Sequence, residues 1–155
     1  TRLVGSEMCI RDSSYYNGDF IALEKAHLNK GWKLVDNWHP DNKAGKRNGF
    51  VDVPMLEATR PGDRLTLDFR GKAIGIFCVS GPSAGILEYS VDGAPFKELD
   101  TFTEWSHNLY IPWVYMLETE LKDTDHKLVL RISKKKNPAS QGTECQIRNF
   151  VVNGR

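Results

Sequence analysis

The pattern of hydrophobic and polar positions is most informative between Gly71 and Gly93. Residues 74–79 are apolar or glycine at odd and even positions alike, which is typical of a strand buried on both faces. In residues 87–91, apolar side chains alternate with polar ones, as in a strand with one solvated face. This stretch therefore predicts two strands of a β-sandwich, joined by a Gly/Pro/Ser turn at residues 81–85.

The dipeptide Asp92-Gly93 predicts a hairpin after the second of these strands. Asp and Gly both tolerate the positive φ of a type I′ turn, so we expect residues 94–99 to return as the next strand.

Further strand-like runs are separated by turn residues along the chain, with a brief helical turn predicted at 22–28. These runs are residues 19–23, 31–35, 50–53, 65–69, 109–117, 126–133 and 145–152. The sequence thus predicts an all-β, antiparallel β-sandwich of about eight or nine strands.

Two prolines modify the predicted strands. Proline lacks a backbone N–H, so Pro54 is expected to end the strand that begins near Phe50. Pro112 lies inside an apolar run and indicates an edge strand, a bulge or a break.

Length and charge indicate one domain without a charged partner. The chain has 155 residues, with 21 Lys and Arg against 20 Asp and Glu. A net charge of +1 gives no field that favours nucleic acid, and no run is long enough for a membrane span. We expect neither partner, and no cofactor.

Residues 2–13, RLVGSEMCIRDS, resemble the translated product of a sequencing adapter; the alternative is an ordinary disordered tail. We therefore expect residues 1–13 to lie outside the fold and residues 14–155 to form a single β-sandwich domain. On this interpretation the chain is a fragment whose upstream part is missing.

Cys78 and Cys145 remain as cysteines of the predicted domain, and both lie in strand-like segments. Two buried thiols are the simplest expectation, and an inter-sheet disulfide is the alternative for an exported protein. No CxxC or HxxxH spacing occurs, so no metal site is expected.

Two Asp-x-x-His spacings occur, Asp36 to His39 and Asp123 to His126. Such a pair orients the histidine that activates the serine of SGNH/GDSL hydrolases. However, the chain has no Gly-Asp-Ser nucleophile motif, and Pro54 opposes a helix after the first pair. We interpret the first pair as a loop anchored by Trp38 and the second as an exposed strand start.

A group of aromatic and histidine side chains is the candidate ligand site. Aromatic rings stack on sugar rings, so such a group can form a carbohydrate platform; filling of the core or of a domain interface is the alternative. Alternation places Trp113 and Tyr115 on one face. The group comprises Trp105, His107, Tyr110, Trp113 and Tyr115.

Several segments as a set resemble the non-catalytic, jelly-roll-like β-sandwich domain attached to bacterial SGNH/GDSL-type hydrolases. These segments are PGDRLTLDFRGKAIGIF, SGPSAGILEYSVDG, the HKLVLRI strand and the closing IRNFVVNG. The resemblance covers residues 15–153 and implies a jelly-roll or galactose-binding-like sandwich.

The resemblance implies a parent enzyme that hydrolyses esters, such as acetyl groups on polysaccharide, in the periplasm or outside the cell. Its catalytic Ser, Asp and His would lie in the missing upstream domain, so no catalytic residue is assigned to this chain. The expected partners are that domain and an acetylated glycan. Two alternatives stay open: a terminal part of the hydrolase with Asp36 and His39 as its pair, or a purely structural domain.

Overall fold

The computed structural model describes residues 18–39 and 53–153. Within them, all regular structure is β-strand apart from two short 3₁₀ helices, Leu23–Lys25 and Glu104–His107. The strands are β1 (Gly18–Ile21), β2 (His27–Lys30), β3 (Lys33–Trp38), β4 (Val53–Ala58), β5 (Arg64–Gly71), β6 (Ala73–Ser80), β7 (Ile86–Val91), β8 (Lys97–Asp100), β9 (Ile111–Glu118), β10 (Thr124–Ile132) and β11 (Cys145–Asn153).

The strands form two antiparallel sheets, which confirms the predicted β-sandwich, although the described residues hold eleven strands where eight or nine were expected. One sheet has the order β3-β4-β11-β6-β9, and the other has the order β2-β5-β10-β7-β8. β1 joins the first sheet by pairing with the second half of β11, where Gly18 lies opposite Asn153. The residues most deeply buried between the sheets include Leu67, Ile76, Leu128 and Phe150.

The two outer faces of the sandwich differ in polarity. All eight residues of β6 are buried. One side of the strand faces the core between the sheets, and on the outer side Phe77 packs with Val114 and Val151. In β5, buried residues alternate with residues open to solvent, so the outer side of the five-stranded sheet is polar. The apolar pattern of residues 74–79 therefore predicts correctly that β6 is buried on both faces.

The Asp92-Gly93 turn is also confirmed. Asp92 has a φ of 56° and Gly93 a φ of 78°, and the Ala94 N–H donates to the Val91 carbonyl at 3.2 Å. β8 then pairs with β7, although it begins at Lys97 instead of Ala94.

The two prolines have different outcomes. Pro112 lies in β9, an edge strand of the six-stranded sheet, as predicted. Pro54 does not end its strand, because β4 continues to Ala58. β11 pairs only with residues 56–58 of β4, and β3 has a register shift opposite Pro54, so no ladder needs its missing N–H.

Some expectations fall outside the described residues, namely those on residues 1–17 and on residues 40–52. Elsewhere, the predicted helical turn is the 3₁₀ helix Leu23–Lys25, and β2 follows it. β2 is a four-residue strand exposed at every position, so periodicity does not reveal it.

Cys78 and Cys145 are buried free thiols. They lie on neighbouring strands of one sheet, but Cys78 pairs with Ile147, which displaces Cys145 by two residues. Diagonal neighbours stand farther apart than a disulfide spans. Burial raises the pKa of Cys78 to about 12. None of the described helices has the length and apolar character to cross a membrane.

Candidate functional site

Trp105 is presented to solvent by the second 3₁₀ helix. The Thr103 hydroxyl accepts the Trp105 N–H at 3.2 Å. Reciprocal hydrogen bonds between Thr103 and Ser106, including that from the Thr103 N–H to the Ser106 hydroxyl at 3.1 Å, form a capping box. Ser106 is fully buried, whereas Trp105 is 60% exposed. A large apolar ring is therefore held outward on a turn whose backbone is fixed.

Trp113 and Tyr115 lie beside one another on β9, on one face of the strand as alternation predicts. Their ring centroids are 6.3 Å apart, and both side chains are half-buried. The Tyr115 hydroxyl donates to the Thr101 carbonyl at 3.4 Å, and burial raises the Tyr115 pKa well above its ordinary value. Tyr115 thus ties β9 to the segment that leads to Trp105.

Tyr110 and His107 are separate from that pair. Tyr110 is buried and packs edge-to-face on Trp38, with centroids 5.3 Å apart, in a cluster with Met55 and Val79. His107 is exposed and packs edge-to-face on Phe102 at 5.1 Å. The five predicted residues therefore do not form one platform, and Tyr110 has no ring face open to a ligand.

A polar contact lies at the far end of β9. Lys97 Nζ on β8 is 2.7 Å from Glu118 Oε2, and the hydrogen bond to Glu118 raises the Lys97 pKa. This ion pair connects edge strands of the two sheets, and sequence spacing gave no sign of it.

The first Asp-x-x-His spacing does not lie in a loop throughout. Asp36 is an exposed residue of β3, Trp38 is the buried last residue of that strand, and exposed His39 follows it. The indole N–H of Trp38 donates to Glu57 Oε2 at 3.1 Å, so Trp38 anchors this segment as expected. An active-site block would require a helix after Pro40, and residues 40–52 lie outside the described part of the chain.

The histidine of the second spacing, His126, contacts Asp92. The strand start is exposed at Thr124 and Asp125, as expected, whereas the His126 side chain itself is largely covered. Its Nδ1 contacts Asp92, and its Nε2 lies 2.7 Å from the Lys122 carbonyl. These hydrogen bonds raise the His126 pKa, the one to Asp92 contributing most.

Around His126 the surface forms a shallow, largely polar depression. It is lined by Asp68, Phe69, Arg70, Asp92, Asp125, His126 and Lys127. Among the described residues, no group of three or more His, Cys, Asp or Glu side chains is placed to hold a metal ion.

Comparison with solved structures finds a similar fold in parts of two esterases and a galactanase. A two-domain esterase (CEX) active on acetylated mannans, co-crystallised with mannopentaose, gives a TM-score of 0.66 at 15% identity, covering 89% of this chain and 36% of that chain. A family two carbohydrate esterase from Cellvibrio japonicus gives 0.52 at 12% identity, covering 89% and 34%. An exo-beta-1,3-galactanase from Phanerochaete chrysosporium, with galactose, gives 0.55 at 11% identity, covering 86% and 29%.

At these identities the likeness concerns the fold alone. The chain spans about a third of the length of these proteins, 29–36%. No protein-family model matches the sequence, and no curated protein matches it.

Proposed function

We propose that this chain is a non-catalytic β-sandwich domain of a larger, exported SGNH/GDSL-type ester hydrolase, and that it contacts carbohydrate through Trp105. The observation that carries the proposal is the exposed ring of Trp105, 60% open to solvent on a capped turn. Neighbours of the same fold that include carbohydrate esterases support it.

The physical basis is preorganisation. Exposing a large aromatic ring leaves apolar surface in water, and stacking against a sugar ring removes that surface. Because the capping box already fixes the turn, ligand binding does not have to order the backbone that carries Trp105.

We assign the chemistry of ester cleavage to a domain outside this chain. Asp36 is exposed on β3, and the residue next to His39 is the buried, hydrogen-bonded Trp38. A catalytic pair at this position would have to form around a structural anchor, so no catalytic role is assigned to Asp36 or His39.

Affinity electrophoresis of the chain in gels containing acetylated glucomannan, mannan or β-1,3-galactan tests the proposal. We expect retardation in at least one gel. Trp105→Ala should weaken it by about tenfold, or ~1.4 kcal/mol, with circular dichroism unchanged. Phe20→Ala is the matched control, because Phe20 is similarly exposed, at 53%, but lies on β1. Absence of retardation, or equal retardation of the Trp105 variant, would refute carbohydrate contact at Trp105.

A further inference from the structure

β8 and β9 are edge strands of the two sheets and lie on one side of the sandwich. Two contacts bridge this side: the Lys97–Glu118 ion pair at 2.7 Å and the Tyr115–Thr101 hydrogen bond at 3.4 Å. Lys97 and Thr101 are four residues apart, so the two contacts are separated by ~13 Å at the rise of an extended strand. The segment carrying Trp105 continues from Thr101.

The side chains along this side combine ring surface with paired charges. Trp113 and Tyr115 are half-buried, and the side chains of Lys97 and Glu118 are 57% and 22% exposed. Lysine donates hydrogen bonds and glutamate accepts them, while the pair carries no net charge.

We propose that this side of the sandwich forms a groove, the β8–β9 groove, and that the groove holds a neutral linear polysaccharide that extends from Trp105. In this arrangement the Lys97 ammonium and the Glu118 carboxylate engage adjacent hydroxyls of one sugar, and Trp113 contacts the chain between them and Trp105. The inference rests on the proposed function and adds the ligand class to it: a neutral glycan of more than one sugar, in preference to a polyuronate.

A plain structural role for the ion pair is the competing explanation, and the chain offers a matched control for it. Glu98, the residue after Lys97 on β8, pairs with Lys135 at 3.0 Å, and both partners are exposed. Successive strand residues point to opposite faces. The Glu98–Lys135 pair therefore has the same chemistry on the other side of the same strand.

The test compares Lys97→Met and Glu118→Gln with Lys135→Met and Glu98→Gln, using the same gels and gels containing polygalacturonate. We expect the first two variants to weaken binding to a neutral glycan at least threefold, with thermal midpoints near that of the wild type. The two controls should bind as the wild type does, and polygalacturonate should retard the wild type less than the neutral glycan does.

The charge-swapped variant Lys97→Glu/Glu118→Lys separates support of the fold from ligand contact. If the ion pair only supports the fold, the single variants should lose stability and binding, and the swap should restore both. If the pair contacts the ligand, as proposed, stability should stay near that of the wild type in all three variants while binding by the swapped variant remains weak. Wild-type binding by both single variants, binding restored by the swap, or preference for polygalacturonate would each overturn the β8–β9 groove. If Trp105→Ala alone weakens binding, the proposed function stands without the groove; if no glycan binds the wild type, both fall.

Discussion

His126 and Asp92 are joined across 34 positions of sequence by a contact of 2.5 Å between ring Nδ1 and carboxylate Oδ2. The other ring nitrogen faces the Lys122 carbonyl at 2.7 Å. Both partners are acceptors, so both ring nitrogens must donate, and only the doubly protonated imidazolium satisfies them. The contact fastens the β7–β8 turn to β10 and to the loop before it.

The stability of the fold should depend on pH through this pair. The raised pKa of His126 means that its contribution is complete below its ordinary value of 6.5 and is lost as pH rises through the folded-state pKa. The pKa of Asp92 is lowered, chiefly by the hydrogen bond to His126, so its contribution is complete above 3.8 and is lost as pH falls through the lowered pKa. We expect Asp92→Asn to reduce the free energy of unfolding most between about pH 4 and 6.5 and less above that window.

Urea unfolding at a series of pH values measures this difference, and NMR titration of the His126 ring locates its pKa directly. Asp125→Asn is the control, because Asp125 lines the same depression but pairs with Arg70 on the exposed surface. A His126 pKa at or below 6.5, or equal effects of the two Asp variants, would contradict the assignment.

Two buried tryptophans should differ in the cost of replacement by phenylalanine. Trp32 and Trp38 are 4% and 3% exposed, so the loss of ring volume is similar. The Trp38 indole N–H donates to Glu57, whereas no described residue accepts a hydrogen bond from the buried Trp32 N–H. Trp38→Phe should therefore lower the free energy of unfolding by about 1–2 kcal/mol more than Trp32→Phe. Chemical denaturation checks the order, and the reverse order would show that the Glu57 bond contributes no stability.

Ser140 should be important for the loops at one end of the sandwich. Its buried hydroxyl lies 2.7 Å from the Ala84 carbonyl and accepts the Gly142 N–H at 3.3 Å. Backbone hydrogen bonds join the same two segments, including Gly85 N–H to the Glu144 carbonyl at 2.8 Å. Ser140→Ala is expected to cost about 1–3 kcal/mol, measured by thermal or urea unfolding. The exposed substitution Thr119→Ala should stay within about 0.5 kcal/mol, and a Ser140 variant as stable as that control would refute the role.

The buried cysteines should be inert in the native protein. Thiolates are the reactive form, and burial raises the pKa of both Cys78 and Cys145. In a Cys9→Ser background, we expect no reaction with Ellman's reagent at pH 8 until denaturant is added, when two thiols should appear. Rapid native labelling, or fewer than two thiols in denaturant without reductant, would contradict burial as free thiols.

Local chemistry made much of the fold predictable. The two-sided apolar pattern of β6, the Asp-Gly turn and the proline of an edge strand each have one dominant local cause, and each was confirmed. Pro54 shows the limit of such reasoning: its tolerance inside β4 depends on which residues of β3 and β11 lie opposite it, and register is a property of the assembled sheet.

The candidate site was harder to predict because proximity in sequence does not determine proximity in space. Tyr110 and Trp113 are three residues apart, yet Tyr110 is buried against Trp38 while Trp113 lies beside Tyr115. The partners of His126 and Lys97 come from other strands and turns. Of the five candidate residues, only Trp105 is a large aromatic residue that the structure leaves mostly exposed.

The pairing of Gly18 with Asn153 gives this architecture a property that no single side chain confers. The two ends of the described fold therefore lie beside each other at the rim of the six-stranded sheet. Such a fold can be inserted into a surface loop of another protein without separating the two ends of that loop widely. Circular permutants that join these two ends with a short linker should therefore fold.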